Sequence, residues 1–359
     1  MYEADVFIAG GGPAGLAAAI AANQRGLRVV LADAAGAPVD KCCGEGLLPA
    51  GVAALRQLGI GIPENAAPFR GIRLIEGSTF PPRVRTAQAD FPHGCAYGIR
   101  RIELHRLLAE HAQRIGVDCR WNSPVTGLDN VNARWIIGAD GGNSLVRKQA
   151  GLDAGIRRTG RRYGFRRHFE CDRWGDYMEL HWSRDFQVFV TPVQQSQVCV
   201  AVTSYSHSIR VDHALSSLPD LRARLARPLD AERGALTGTV SLQKVYRNNV
   251  ALAGDASGSA DSITGEGLSL AFNQATSLAD AICEGNLAAY QKAHRQIARV
   301  PAELASGMLL LANHQWLRSR VLKLLESRPS LFAQMLAAAA GERRRMAPLA
   351  AQVLLGLVV

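Results

Sequence analysis

The stretch that most restricts what this chain can fold into is its opening, ADVFIAGGGPAGLAAAIAANQRGLRVVLAD, residues 4–33. Residues 4–10 form a continuous apolar run stopped by glycine, the pattern of a strand buried on both faces. Residues 13–26 are rich in alanine and end at Gly26, which predicts a helix with a glycine C-cap. A second buried strand follows over 27–33, so the chain opens as a βαβ unit. Gly10, Gly12 and Gly15, with Pro13 and Ala14 among them, give GxGxxG spacing at the strand-to-helix turn. The first glycine permits the tight turn and the second lets backbone approach a pyrophosphate. The third lets helix and strand pack closely, with phosphate on the helix N-terminus. Asp33 ends the second strand, about 20 residues on, where a carboxylate can take a ribose hydroxyl. The combination predicts a dinucleotide site.

At 359 residues, 48% hydrophobic and 20% charged, the chain is long enough for two domains with real cores. Residues 102–117 carry helical spacing closed by Gly116, and short strands are expected at 118–121 and 124–127, then at 133–142. Over 160–205 the pattern changes to period two, as in half-exposed antiparallel strands. The buried-strand pattern returns at 250–257, a long helix begins near Gly267, and 286–359 reads as largely helical. The expected fold is α/β with an α+β insert. A Rossmann-like nucleotide-binding domain (1–75, 95–160 and 245–290) is interrupted by a substrate domain with an antiparallel sheet (76–94 and 161–244). A C-terminal helical region (291–359) follows.

Seven cysteines at irregular spacing, without a CxxC or a zinc-like Cys/His set, argue against a disulfide framework and against a metal centre. The start lacks the basic and apolar regions of a signal peptide, and no apolar run reaches the roughly 18 residues of a membrane span. A cytoplasmic protein is expected. The net charge is +10, with six arginines among residues 157–167 and ERRR at 342–345. This density is either a solvated basic surface or a field that steers anionic ligands. Nucleic acid is not expected as a partner, because none of its usual binding motifs is present.

Two later segments narrow the cofactor. WIIGADGGNSLVRK (135–148) and VALAGDASGSADSITGEGLSLAF (250–272) resemble the "DG" and "GD" motifs of the FAD-dependent superfamily of para-hydroxybenzoate hydroxylase, geranylgeranyl reductases and flavin-dependent halogenases. GIRRIELHRLLAEHAQRIGV (98–117) resembles the Arg-x-x-Leu helix of the same superfamily, and the likeness runs over most of the chain. It implies FAD. In the GD segment Gly254 and Asp255 end a strand, where the carboxylate can accept from a ribityl hydroxyl. Gly265, Glu266, Gly267 and Leu268 open a helix whose amides can face the pyrimidine edge of the flavin. Arg101 matches the superfamily's arginine beside the flavin chain, with Arg100 an exposed neighbour. Asp140 supports the cofactor or serves as a turn residue. There is no second GxGxxG, so NADPH or NADH is expected to dock transiently, at Arg161, Arg162 and Arg166.

The reaction is less constrained. Where hydroxylases carry a histidine after GDA and a proline before the glycine pair, this chain has Gly258 and Ser262, closer to the geranylgeranyl reductases. The halogenase Trp-x-Trp-x-Ile motif is absent. In 177–182, period two puts Tyr177, Glu179 and His181 on one face and Met178, Leu180 and Trp182 on the other. The C-terminal helices suit core packing, an amphipathic cap over a hydrophobic tunnel, or reversible membrane contact. KCCGEGLLP (41–49) resembles the Cys-Gly loop of geranylgeranyl reductases at Cys43–Gly44. A disulfide between adjacent cysteines is strained, which leaves flavin-side packing with Gly44 in contact, or a chemical role for Cys43 or Glu45. The resemblance implies NAD(P)H-dependent monooxygenation of a hydrophobic, aromatic or polyketide-like molecule, free or carrier-bound. The alternative is reduction of carbon–carbon bonds in an isoprenoid or lipid-like substrate.

Overall fold

Ala4–Ala9 pairs in parallel with Val29–Ala32 on one side and with Ala133–Gly138 on the other. Asp118–Arg120 and Val250–Leu252 extend the sheet in parallel, and Tyr246–Arg247 closes one edge antiparallel. In this computed structural model, which describes residues 2–79, 82–172, 174–340 and 347–358, that six-stranded sheet is covered on both faces. Val6, Ile8, Leu31 and Ile137 face a core shared with helices Pro13–Asn23, Arg101–Arg114 and Gly267–Cys283, while Ile136 and Leu252 pack with Val146 and Leu152 on the other side. Burial from both sides is why these strands read as unbroken apolar runs. The first helix stops at Asn23, and Gly26 supplies the left-handed turn (φ +81°) that follows it. No strand forms at 124–127. Leu128 N donates to Gln149 Oε1 (3.0 Å) and Gln149 Nε2 to Thr126 O (3.4 Å), so a side chain takes the hydrogen bonds a ladder would have used.

The second sheet has seven strands, in the order Arg233–Ser241, Arg157–Glu170, Gln197–Ser204, Phe186–Gln194, Tyr177–Trp182, Gly71–Thr79, Pro82–Asp90. Every join is antiparallel except one. Gly71–Thr79 follows directly on Ala67–Phe69 and lies parallel to Tyr177–Trp182, with Arg73 beside Glu179. All six residues of Tyr177–Trp182 are buried, unlike the half-exposed strand the alternation suggests. Met178, Leu180 and Trp182 face an apolar cluster completed by the C-terminal helices. On the other face Glu179 binds Arg73 (3.1 Å), Arg224 (2.9 Å) and His181 (3.0 Å), so polar alternation here marks a buried ion cluster.

Helices Leu287–Asn313, Gln315–Ser327, Pro329–Ala339 and Ala347–Val358 form the C-terminal region. Buried Arg318 fastens it to the second sheet by donating to Glu76 (2.6 Å), and Ser319 Oγ donates to the same carboxylate (2.7 Å). The ERRR run at 342–345 lies outside the described residues. A small sheet of Gly46–Leu47, Ala96–Gly98 and Ala67–Phe69 holds the loop after the second strand between the two larger sheets. At Gly98 any Cβ would lie 1.7 Å from Pro192 O, which only glycine allows.

Candidate functional site

The C-terminal ends of the parallel strands share one edge of the first sheet, where open α/β sheets bind their ligands. There Gly10 turns at φ +107°, and a Cβ on Gly15 would stand 1.8 Å from Gly10 O, so helix Pro13–Asn23 could not pack as it does. Gly12 differs, because a Cβ there would meet nothing within 4 Å; its face looks into open space. Asp33 braces the turn, accepting from Gly11 N (2.6 Å) and Ala35 N (2.7 Å). Each carboxylate oxygen keeps a further lone pair. Burial holds His105 below its ordinary pKa, so the neutral ring donates from Nε2 to Gly11 O (2.8 Å). His105 and the adjacent Trp121 ring are supports that the spacing in 102–117 does not reveal.

The DG and GD segments join this edge. Asp140 Oδ2 accepts from Leu145 N (2.7 Å) and Val146 N (3.1 Å), which caps the short helix Leu145–Gln149. Its Oδ1 is buried without a partner among the described residues. Arg147, fully buried, donates to Gly142 O (2.8 Å), Ala256 O (3.1 Å) and Asp153 (2.6 Å), tying the two segments together. Gly254 (φ +60°) passes so near the first helix that a Cβ would lie 2.5 Å from that of Ala14. Asp255 stands exposed beside Lys41 (3.2 Å). Gly265 and Gly267 face open space on either side of Glu266, and Leu268 packs on the core. Glu266 itself is 3% exposed with Oε2 unpartnered among the described residues, and burial pushes its carboxyl up to about 8.

Lys41–Leu47 approaches from the small sheet. Cys42 and Cys43 are free thiols; burial pushes Cys42 up to about 12 and raises Cys43 as well. Neither is a ready thiolate nucleophile. Gly44 again faces open space. Glu45 holds a left-handed backbone (φ +60°), a strained state for a residue with a Cβ. Its Oε1 accepts from Arg101 N (2.9 Å) at the start of helix Arg101–Arg114. Arg101 is 8% exposed and its Nε lacks a partner among the described residues.

The arginine-rich strand does not match the expected nicotinamide dock. Arg162 is buried and donates to Asp261 (2.9 Å), Thr203 (2.7 Å) and Gln187, and buried Arg166 donates to Asp40 (2.7 Å). Arg161 alone of the three is exposed. The reason is alternation within Arg157–Glu170, which turns Arg162, Arg166 and His168 inward to meet acids from distant loops. Arg100 is likewise not a bare neighbour of Arg101, because it donates to Asp230 (3.2 Å).

These features suit an extended ligand with an anionic middle. Glycine faces at 12, 44, 265 and 267 look into open space, and the unpartnered Arg101 Nε, Asp140 Oδ1 and Glu266 Oε2 are buried nearby in the fold. Two helix N-termini, of Pro13–Asn23 and Gly267–Cys283, meet the same edge. An FAD fits this donor set. The apolar face of Met178, Leu180, Trp182 and Phe189 borders the approaching loop, since a Cβ on Gly46 would touch Met178 Sδ at 3.5 Å.

A family described as an FAD binding domain matches residues 3–291. The menaquinone reductase of Mycobacterium tuberculosis (strain ATCC 25618 / H37Rv) is 29% identical over 304 residues, covering 74% of this chain and 73% of that protein. A rifampicin monooxygenase of Rhodococcus hoagii is 32% identical over 160 residues, 40% of this chain and 33% of its own length. Among solved structures, a flavoprotein/dehydrogenase from Cytophaga hutchinsonii shares the fold with a TM-score of 0.77 at 18% identity, over 94% of this chain and 92% of the other.

Proposed function

The chain belongs to the FAD binding domain family and is an FAD-dependent oxidoreductase; we propose that it hydroxylates a hydrophobic, aromatic or polyketide-like small molecule at the expense of NADPH or NADH. The observation that carries this reading is the buried apolar face of Met178, Leu180, Trp182 and Phe189, packed with the C-terminal helices and bordering the loop at Gly46. When bound, FAD supplies two-electron chemistry, taking hydride from a nicotinamide and handing electrons to oxygen or to an organic acceptor.

The protein's part is to bind, orient and exclude water. Gly10, Gly12, Pro13, Ala14 and Gly15 would take the pyrophosphate on the first helix N-terminus, with Asp33 on a ribose hydroxyl. Arg101 would add the nearby cation, and Asp255 would accept from the ribityl chain. The N-terminus of Gly267–Cys283, with Gly265, Glu266 and Leu268, would face the pyrimidine edge with its positive dipole end. Gly44 and Gly254 would let backbone approach closely, and the free Oδ1 of Asp140 would serve the nicotinamide side. Cys43 and Glu45 remain our candidates for chemistry beside the substrate, with Cys43 acting as a protonated thiol.

A second reading is reduction of carbon–carbon bonds in an isoprenoid or lipid-like substrate. It is favoured by the match to a menaquinone reductase across 73% of that protein's length. The two readings differ only in the final electron acceptor. The FAD-loaded protein is reduced anaerobically with NADPH and NADH in turn, then given either oxygen with a panel of hydrophobic phenols or a menaquinone bearing its isoprenoid chain without oxygen. Oxygenated product supports the first reading, and oxygen-independent saturation of a chain double bond without such product supports the second. A protein that retains no FAD overturns both.

No helix among the described residues is long and apolar enough to cross a membrane. We place the protein in the cytoplasm, meeting a lipid surface through exposed Leu310 and Trp316 with Arg320 stacked on the Trp316 ring at 4.5 Å. Flotation with anionic liposomes tests this. Protein remaining at the bottom of the gradient removes the lipid contact.

A further inference from the structure

Arg162 stands on strand Arg157–Glu170 of the seven-stranded sheet and is 1% exposed. Its Nη2 donates to Thr203 Oγ1 (2.7 Å) and to Gln187 Oε1, residues that face each other across two further strands. Gln187 also lies opposite Trp182, and the next residues on the same face are Ala201, Phe189 and Leu180. Period-two alternation therefore places the Arg162 guanidinium on the sheet face that carries the apolar cluster of Phe189, Leu180 and Trp182. Its Nη1 reaches off the sheet and donates to Asp261 Oδ1 (2.9 Å), 99 residues further along the chain.

Asp261, also 1% exposed, uses the same oxygen to accept from Ile263 N (3.0 Å), which caps the turn Ser262–Thr264. Gly265 leaves that turn in the left-handed region (φ +69°), and helix Gly267–Cys283 begins just beyond it. Ile263 packs in the same apolar cluster as Phe189 and Trp182. One carboxylate oxygen thus shapes the lead-in to the helix and ties that lead-in to the sheet. We propose that Arg162 and Asp261 are positioning residues, which hold the N-terminus of helix Gly267–Cys283 at a fixed place over the substrate face; it rests on the FAD-oxidoreductase reading given above. The helix N-terminus carries partial positive charge. Where it stands therefore governs how well the protein stabilises negative charge on a reduced flavin.

Stability is a poor account of this pair. Taking both charges out of water is costly, and apolar residues of similar volume often serve as well or better. The hydrogen bonding is also incomplete, since Arg162 Nε and Asp261 Oδ2 are buried without a partner among the described residues. Each ion has the other as its one salt-bridge partner among the described residues. The ring of Tyr205 covers the guanidinium from 5.4 Å. What the pair provides is direction. The planar guanidinium meets two strands with one nitrogen and the turn with the other, a fork that a lysine ammonium does not reproduce.

The rival is a pair that does nothing but stabilise the folded chain. Asp261→Asn keeps an oxygen to cap Ile263 N and removes the charge that Arg162 binds. Asp261→Asn combined with Arg162→Met removes the whole pair and strands neither ion. Melting temperature and the midpoint potential of the bound FAD, equilibrated against a reference dye, are read on the wild type and both variants. The double variant should recover melting temperature that the single variant loses, while its FAD potential stays below that of the wild type. The expected shift is on the order of a tenfold loss of preference for reduced over oxidised FAD, about 30 mV for a two-electron couple. A folded double variant that no longer retains FAD supports the positioning role as well, and one with the wild-type potential overturns it. Arg162→Lys keeps the charge without the fork and covers the case of a double variant that does not fold. It should lower the potential in the same direction, and an unchanged potential there overturns the role equally. A wild-type protein that holds no FAD overturns the functional reading instead, so the two failures are distinct.

Discussion

Gly44-Glu45-Gly46-Leu47 and Gly265-Glu266-Gly267-Leu268 spell the same four residues, the first just ahead of a helix and the second running into one. Both glutamates are 3% exposed. Glu45 is saturated, with the amide of Arg101, the ring of His168 and the guanidinium of Arg166 around it. Glu266 has one oxygen without a partner among the described residues and a carboxyl pushed up to about 8 by burial. Local sequence therefore decides where a buried acid sits, and distant residues decide whether it is an anion. The first acid belongs to a paired network, and the second is held neutral beside the edge proposed for the flavin.

Removing the acids should separate these cases most strongly. Glu45→Ala strands buried cations, and breaking a buried pair costs about 3–5 kcal/mol. Glu266→Ala removes a group without a charge partner and, compared near pH 4.5 where the acid is protonated in the folded chain, should cost within about 1 kcal/mol. Denaturant midpoints of the two variants measure this, and equal losses would break the contrast. Next in size is pH dependence. Glu266 titrates higher in the folded chain than in the unfolded one, so its contribution is complete below the ordinary carboxyl value of 4.5. It is lost as pH rises toward 8, a fall of up to about 5 kcal/mol between those limits. Glu266→Gln should flatten that fall in melting temperature; a fall of the same size in both proteins would assign it to other groups.

Smaller still is the effect of one methyl group. A Cβ at Gly267 meets nothing within 4 Å in the protein but would intrude on the proposed flavin, whereas at Gly46 its nearest contact is an ordinary 3.5 Å. Gly267→Ala should weaken FAD retention on the order of tenfold, about 1.4 kcal/mol, and Gly46→Ala should not. Flavin absorbance after gel filtration reads both, and equal retention in the two variants would sink the assignment. Cys43→Ser should do least, changing stability by less than about 1 kcal/mol with FAD content unchanged. A fall in turnover at constant FAD content would give the thiol a chemical role.

What could be read in advance was what the backbone dictates locally. The GxGxxG turn, the strand ending at Asp33, the GD strand and the helix from Gly267 each follow from steric needs or periodicity within a few residues. The paired charges were not legible in that way. His168 meets Glu45 from 123 residues away and Asp230 from 62, and Arg162 meets Asp261 from 99. Nothing in a run of arginines tells which of them will turn inward. The absent strand at 124–127 has the same origin, because Gln149, from another element, takes its hydrogen bonds.

The order of strands in the two sheets also bears on how the chain is made. The hairpin of Gly71–Thr79 and Pro82–Asp90 has no neighbour on its inner side until Tyr177–Trp182 has been synthesised. The seven-stranded sheet lacks its outermost strand until Ser241 emerges, and the parallel sheet lacks Val250–Leu252 for slightly longer. A ribosome therefore releases more than two-thirds of this protein before either layer can close. Through that interval its strand edges are open to the wrong partner.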